Sequence, residues 1–578
     1  MTTMKFPATY GSGWAFLRPS HSGWILLPVF FYLIAILPIF VDNNAGSGLN
    51  LPQNLLAWGI MVVCILLTMA RAIINGRFYI ATFMLPAIFG VVLLMLPWFW
   101  TPSLLWQYHS LPRLAGIAGA LAFTFTLSQI SLTNNIRRAV LVVVVISALI
   151  QATEAMVQAW LPEVALRLMN FGAPSPYGIF QQRNLLASWL ATGYGIALYL
   201  AQTARTRSLG WIIVLYPLSA ALVLTQSRIG ALGAIMMTML SALDSVQELR
   251  KRPQAILRRI LLLSSLAVWC SAISLWAMPS GQQVDFKHQG STEQRLRVLA
   301  GTAEMITKHP LAGSGLGSFE SQFPQALEDA GLQNLEGDTF THPHNEVMYV
   351  MAEGGVVALA GLLLIAAVWL SPLIRHHLRH DGSWLLPLGG LPIVMHMMTE
   401  YPLYLSAPHL MLLILLFRAG IPETAFHMKK MPVLLRTVVL PMVCISAVGM
   451  LIILAEGFNT QLMLTQAECD INSGLIPPLP SATWRSLTQK ERLEYDRHIL
   501  IANTPGFTRS PSAMASFTVW GNQWLAVHND AEVSSVMQFI ARRRGDLAEA
   551  ERLRAEASRV FTKDSRFSKG GNDAPPAY

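Results

Sequence analysis

A chain of 578 residues that is 53% hydrophobic and only 13% charged lies far below the roughly 25% charged residues of a soluble globular protein. The composition therefore excludes a soluble fold and predicts a polytopic membrane protein. The formal net charge of +9 does not signal nucleic acid, because the basic residues gather on one set of connections between apolar runs. The 4 cysteines (Cys64, Cys270, Cys444 and Cys469) form neither a CxxC pair nor a disulfide framework, and no histidines have HExxH spacing.

Apolar runs fall at 24–41, 54–70, 79–98, 114–130, 138–158, 184–201, 210–224, 230–243, 258–278, 346–370, 384–398, 404–418 and 433–455. A straight span needs about 20 residues, with a lower limit near 17. The runs 210–224, 230–243, 384–398 and 404–418 are short and read as re-entrant or tightly paired. Thirteen runs put the termini on opposite sides. With the N-terminus inside, the inner connections carry 19 Lys or Arg, while the short outer ones carry only Arg113, Arg167, Arg183 and Arg228. The positive-inside rule selects that orientation. Trp24, Trp98, Trp100 and Trp211 near run ends fit an interfacial belt. The first run starts near 24 with no small-residue cleavage site close behind, so the N-terminus does not read as a cleaved signal.

Two outer pieces remain. Residues 279–345 form a large loop. Beyond the last run, the amphipathic stretches 488–502, 513–528 and 545–562 predict a small helical domain over 456–564, followed by a polar disordered tail at 565–578. The expected architecture is an all-α polytopic membrane protein. Nine transmembrane helices occupy 1–278, the outer loop 279–345, and four more helices 346–455, for 12–13 in all.

Polar residues at the outer ends carry the chemistry. Arg228, in the turn Gln226-Ser227-Arg228-Ile229-Gly230, is either a planar donor fork for a phosphate or a snorkelling headgroup anchor. In the outer loop, 292–307 reads as a helix on which Arg295 and Arg297 point to different faces, so one of them faces a site. Glycines 313, 315 and 317 permit close backbone approach, without the βαβ context of a nucleotide loop. Thr341-His342-Pro343-His344-Asn345-Glu346 closes the loop. Asn345 suits an N-cap, and the two histidines serve either as general base or as local caps. Glu400, in Glu400-Tyr401-Pro402-Leu403-Tyr404, either pairs with an Arg or orients a His. A base beside arginines suits hydroxyl attack on a substrate with a phosphate leaving group. No DxD-type pair lies on the outer loops, so the sequence requires no metal and no cofactor.

The ordered set Ser227-Arg228-Ile229-Gly230, Arg295, His309-Pro310-Leu311-Ala312-Gly313-Ser314-Gly315, His342-Pro343-His344-Asn345 and Glu353-Gly354-Gly355 resembles the O-antigen ligase superfamily over roughly 170–420. Gly178-Ile179-Phe180-Gln181-Gln182-Arg183-Asn184 and Glu400-Tyr401-Pro402-Leu403 are similar to segments of its protein O-oligosaccharyltransferase branch, the pilin-glycosylating type. An aromatic residue commonly follows the loop Arg of that superfamily by four positions, and here Leu299 stands there. The resemblance implies an inner-membrane enzyme that takes an undecaprenyl-pyrophosphate-linked oligosaccharide on the periplasmic face. It implies that His344 activates a Ser or Thr hydroxyl of a pilin-like acceptor, and that Arg228 and Arg295 hold the pyrophosphate. Gln182, Asn184, Arg297, His342, Asn345, Glu400 and Tyr401 are then supporting residues. The alternatives are an O-antigen ligase acting on lipid A-core or a polymerase. A transporter predicts ionisable residues in mid-span and inverted repeats. Apart from Glu154, the polar groups here gather at outer ends instead.

Overall fold

The computed structural model describes residues 22–169, 175–203, 210–249, 289–376, 385–473, 475–504 and 506–568, with isolated positions between 263 and 271. These form an all-α membrane bundle with a helical cap at one end. Five of the described helices are long and apolar enough to cross a membrane, and five shorter apolar helices accompany them. Every expected apolar run carries helix except 258–278, which lies outside the described residues apart from those isolated positions. Two of the short runs are broken. Run 384–398 divides into Leu385–Leu388 and Leu391–Met397 at Gly389-Gly390, and run 404–418 follows a separate turn of helix at Pro402–Leu405.

The elements that frame the site are α1 (Pro52–Asn75), β1 (Arg77–Ala81), α2 (Met84–Met95), α3 (Leu104–Ser128), α4 (Asn134–Trp160), α5 (Arg183–Thr203), α6 (Gly210–Leu224) and α7 (Arg228–Leu249). They continue with α8 (Gln289–Lys308), α9 (Phe319–Asp329), α10 (Glu346–His376), α11 (Leu391–Met397), α12 (Ala407–Gly420), β2 (Phe426–Lys430) and α13 (Val433–Asn472). Helices α14 (Lys490–Ala502), α15 (Pro511–Leu525), α16 (Ala531–Arg543) and α17 (Leu547–Val560) close the chain.

Helix α5 is the centre of the bundle. Its residues from Leu185 to Ala201 are buried nearly all round, as befits a helix without a solvent stripe. Small residues let its neighbours approach closely: a Cβ added at Gly230 would lie 2.4 Å from the Ala187 methyl. That contact seats the start of α7, with Ser227 and Arg228, against the start of α5.

At the end of the bundle opposite the cap, β1 and β2 pair antiparallel, Arg77 opposite Lys430 and Ala81 opposite Phe426. No strand was expected there. The ladder forms because each strand lies at the end of a helix (α1 and α13), where its backbone groups have no helical partners.

The cap has two parts. Helices α8 and α9 share a core of Val298, Met305, Phe319, Phe323 and Leu327 with Ala352 of α10. Helices α14 to α17 enclose Phe517, Trp520, Val533, Val536, Met537 and Ile540. Asn334 donates to the Val560 carbonyl at 2.9 Å and Arg559 pairs with Glu328 at 2.9 Å, so the loop and the C-terminal helices lie at the same end. Helix α13 does not stop at 455 but continues to Asn472, and the expected boundary at 456 falls in mid-helix. Ser565–Phe567, expected as the start of the tail, form a helical turn with Phe567 buried. Residues 569–578 lie outside the described residues.

Candidate functional site

Helix α10 is broken one third of the way along. Gly355 has φ 63° and ψ −162°, and the carbonyls freed by the break are taken by the glycine-rich loop. Ser314 N–H donates to Ala352 O and Gly315 N–H to Glu353 O, both at 2.9 Å, while Val356 N–H donates to Pro310 O at 3.0 Å. A Cβ at Gly355 would lie 2.2 Å from Leu311 O, and one at Gly313 2.2 Å from Glu353 O. The Glu353 side chain accepts the N–H groups of Gly317 and Phe319 at 3.0 Å and pairs with Arg113 at 2.5 Å. The segments His309–Gly317 and Glu353–Gly355 are therefore one interlocked joint, which fixes the start of α10 and the His-Pro-His-Asn segment before it.

Asn345 caps that start, accepting the Met348 N–H at 3.1 Å. His342 is buried among Tyr349, Tyr401 and Tyr404, with ring centroids at 4.4, 4.8 and 5.6 Å. Its Nδ1 accepts the backbone N–H of His344 at 2.9 Å, and its Nε2 lies 3.3 Å from Glu346 Oε2. The other Glu346 oxygen accepts the Tyr404 hydroxyl at 2.9 Å. An Nδ1 that accepts and an Nε2 that donates define the neutral Nε2–H tautomer.

His344 has φ 58°, a left-handed conformation that non-glycine residues adopt uncommonly. Its Nδ1 is buried without a hydrogen-bond partner among the described residues, and its ring lies 5.6 Å from Tyr401. Burial pushes the imidazole down to about 4, with Arg295 and His342 pushing the same way against Glu400. The ring is thus neutral at physiological pH. Gln181 (φ 57°) and Gln226 (φ 54°) are also left-handed. They flank Gln182 and Ser227, so three of the four such non-glycine residues among those described border one site. Strain of about 1–3 kcal/mol each persists only where surrounding bonds over-determine it.

Glu400 supplies those bonds. Its Oε1 accepts from Asn184 at 2.6 Å and Arg295 at 2.9 Å, and its Oε2 from Gln182 at 2.6 Å and His396 at 3.0 Å. Asn184 in turn accepts the Ser227 hydroxyl at 2.7 Å. Burial raises the Glu400 carboxyl, but His396, Arg295 and Asn184 outweigh it and hold it below the usual carboxylate range. Of the two open roles for Glu400, pairing with an Arg is the one the geometry shows. Arg295 is the one of the two that reaches Glu400, whereas Arg297 pairs with Glu293 of its own helix at 2.8 Å. Arg228 is exposed and forms no hydrogen bond or ion pair among the described residues.

The fold therefore gathers Gln182, Asn184, Arg295, His342, His344, Asn345, Glu400 and Tyr401 from four separate stretches of chain, with Arg228 next to Ser227 on a fifth. His396 had no part in the sequence reading, and Glu346 and Tyr404 entered it only as members of their segments, with no role of their own. The first two carried a signal: Glu346 stands four residues after His342 and His396 four before Glu400, spacing that brings side chains together on a helix.

Residues 212–363 match the family model O-antigen ligase, 386–570 match virulence factor membrane-bound polymerase, C-terminal, and 176–201 match protein glycosylation ligase. These matches support the O-antigen ligase superfamily, with similarity to protein glycosylation ligases. The chain is a multi-pass membrane protein and a glycan-transferring enzyme. The O-antigen ligase match contains Arg228, Arg295 and His344, the glycosylation ligase match contains Gln182 and Asn184, and the polymerase match contains Glu400. No curated protein matches the chain.

Proposed function

We propose that this O-antigen ligase superfamily enzyme is a protein O-oligosaccharyltransferase. It moves an oligosaccharide from an undecaprenyl-pyrophosphate donor to a Ser or Thr hydroxyl of a periplasmic, pilin-like acceptor at the outer face of the bacterial inner membrane. The observation that carries this reading is His344 itself: a neutral imidazole with an unpartnered Nδ1, beside Arg295 and held in a left-handed turn.

The acceptor oxygen attacks the anomeric carbon as the bond from that carbon to the pyrophosphate oxygen breaks. The hydroxyl proton passes to His344, and undecaprenyl pyrophosphate leaves with the bonding electrons. Arg228 and Arg295 stabilise the growing charge on the leaving group. Arg228 is unpaired among the described residues and free to turn to a ligand, while Arg295 is aimed by Glu400. A single displacement inverts the anomeric centre and asks nothing of a metal. Gln182, Asn184, Tyr401 and Asn345 hold the frame.

The test is mass spectrometry of acceptor pilin from cells carrying the wild-type chain or His344→Ala at equal membrane abundance. Glycan on the pilin that persists in the variant sinks the assignment. The second reading, an O-antigen ligase whose acceptor is lipid A-core, is favoured by the 152-residue match to the model of that description, 212–363. Loss of long O-antigen on deletion, with pilin unmodified, selects it.

A further inference from the structure

We propose that His109, Glu491 and His528, with Glu320 behind them, form a site for a zinc-type divalent cation that clips the C-terminal helices to the membrane bundle. The site is separate from the glycan-transfer centre and does not rest on the proposed acceptor.

The residues come from distant parts of the chain. His109 lies on α3, Glu491 in the first turn of α14, and His528 just beyond α15. Each offers one ligand atom, and all three atoms lie within 4.8 Å of one another. His109 Nδ1 stands 3.1 Å from Glu491 Oε1, and the two imidazoles meet edge to face with centroids 4.8 Å apart. Zinc binds His nitrogen and carboxylate oxygen at about 2.0–2.2 Å in tetrahedral geometry, which separates neighbouring donors by roughly 3.4 Å. The His109–Glu491 pair is already close to that spacing.

The surroundings suit a cation. Glu320 is buried. Its Oε1 accepts the Asn529 N–H at 2.8 Å, and its Oε2 lies 3.1 Å from His528 Nδ1. A carboxylate on the far side of a ligating imidazole fixes the ring and strengthens it as a ligand. Two carboxylates stand beside the two imidazoles, a donor set that suits a cation. Lys490, next to Glu491 in sequence, is engaged with Tyr108 at 3.1 Å. Two imidazoles and a carboxylate leave a fourth position for water. The junction is braced beside the cluster by Trp106 Nε1, which donates to Ala526 O at 2.8 Å. A bound cation would therefore join α3, the outer loop and the C-terminal helices at one point.

The full-length protein, carrying no polyhistidine tag, is purified in nanodiscs, stripped with EDTA and dialysed against Zn2+ or Co2+. The expected result is about one Zn2+ retained per chain by elemental analysis, visible d–d absorption with Co2+, and a melting temperature raised by Zn2+. His109→Ala and His528→Ala should each weaken binding at least tenfold, and Glu320→Gln about 10–100-fold, the usual range for a supporting carboxylate. Glu491→Gln preserves shape. It should lower occupancy without changing the melt of the stripped protein, so a folding defect cannot imitate the result. Wild-type protein with no Zn2+ after dialysis overturns the proposal. Occupancy that is equal in wild type and all four variants overturns it as well. The readout is occupancy, not transfer, so failure here leaves the functional reading untouched.

Discussion

The backbone N–H of His344 donates to Nδ1 of His342 at 2.9 Å, and this bond ties the conformation of one histidine to the tautomer of the other. Nδ1 can accept only while His342 keeps its proton on Nε2, and Nε2 faces Glu346. Tyr404 holds that carboxylate in turn. Tyr404→Phe removes one hydroxyl at the far end of the chain. Its expected effect is a roughly three- to tenfold fall in kcat with little change in KM, since a lost net hydrogen bond is worth about 1 kcal/mol. Steady-state transfer to a peptide acceptor measures it. A change confined to KM contradicts the coupling.

For the proposed base, His344→Ala should lower transfer by about 10²–10⁴-fold, the usual contribution of a general base, while the protein stays in the membrane at normal abundance. Immunoblotting paired with glycan mass spectrometry separates loss of chemistry from loss of protein.

The pH dependence has a definite sign. Burial first, then Arg295 and His342, hold His344 near 4, below the unperturbed 6.5 or so. The free enzyme keeps its base unprotonated from neutral pH down to about 5, so the acid limb of kcat/KM should fall near 4 to 5 and not near 6.5. Between those values the unfolded chain takes up a proton that the folded chain refuses, so stability decreases as pH falls through that window. A kcat/KM profile with its acid midpoint at 6.5 contradicts this environment.

Glu400→Gln should be more damaging than its size suggests. The new amide offers donors where Gln182, Asn184, Arg295 and His396 all donate, and removing one partner of a buried charge network costs about 3–5 kcal/mol. At least a tenfold loss of transfer and a lower melting temperature are expected. Arg297→Ala, which breaks only a helix-surface pair with Glu293, should leave both within a factor of two. Equal losses in the two variants would overturn the choice of Arg295 over Arg297.

Gly355→Ala places a methyl 2.2 Å from the Leu311 carbonyl at φ 63°, so the joint between the loop and α10 cannot close. The expected result is severe destabilisation, seen as aggregation or loss of a cooperative melt in detergent. Gly449→Ala, on α13 with nothing within 4 Å of the added carbon, should be neutral or mildly stabilising, because alanine favours helix by about 1 kcal/mol over glycine.

Hydrophobic run length made the bundle readable, and amphipathic spacing made the C-terminal helices readable, because both signals are local. The Asn345 cap was readable for the same reason. What escaped was long-range. Glu400 meets residues 218, 216 and 105 positions away, and a single sequence carries no record of such meetings. The β1–β2 ladder escaped because five-residue strands at helix ends contain too few alternations to register. The break at Gly389-Gly390 did carry a local signal, Pro387, Gly389, Gly390 and Pro392 within six residues, but hydropathy alone does not weigh such breakers.

Helix α13 runs unbroken for 40 residues from the β2 ladder to the C-terminal helices, a length of about 60 Å. A rod of that length makes placement sensitive to angle: a tilt of roughly 5° at the β2 end would shift the far tip sideways by about 5 Å. Its packing along α1 is therefore what fixes where the C-terminal helices stand over the bundle.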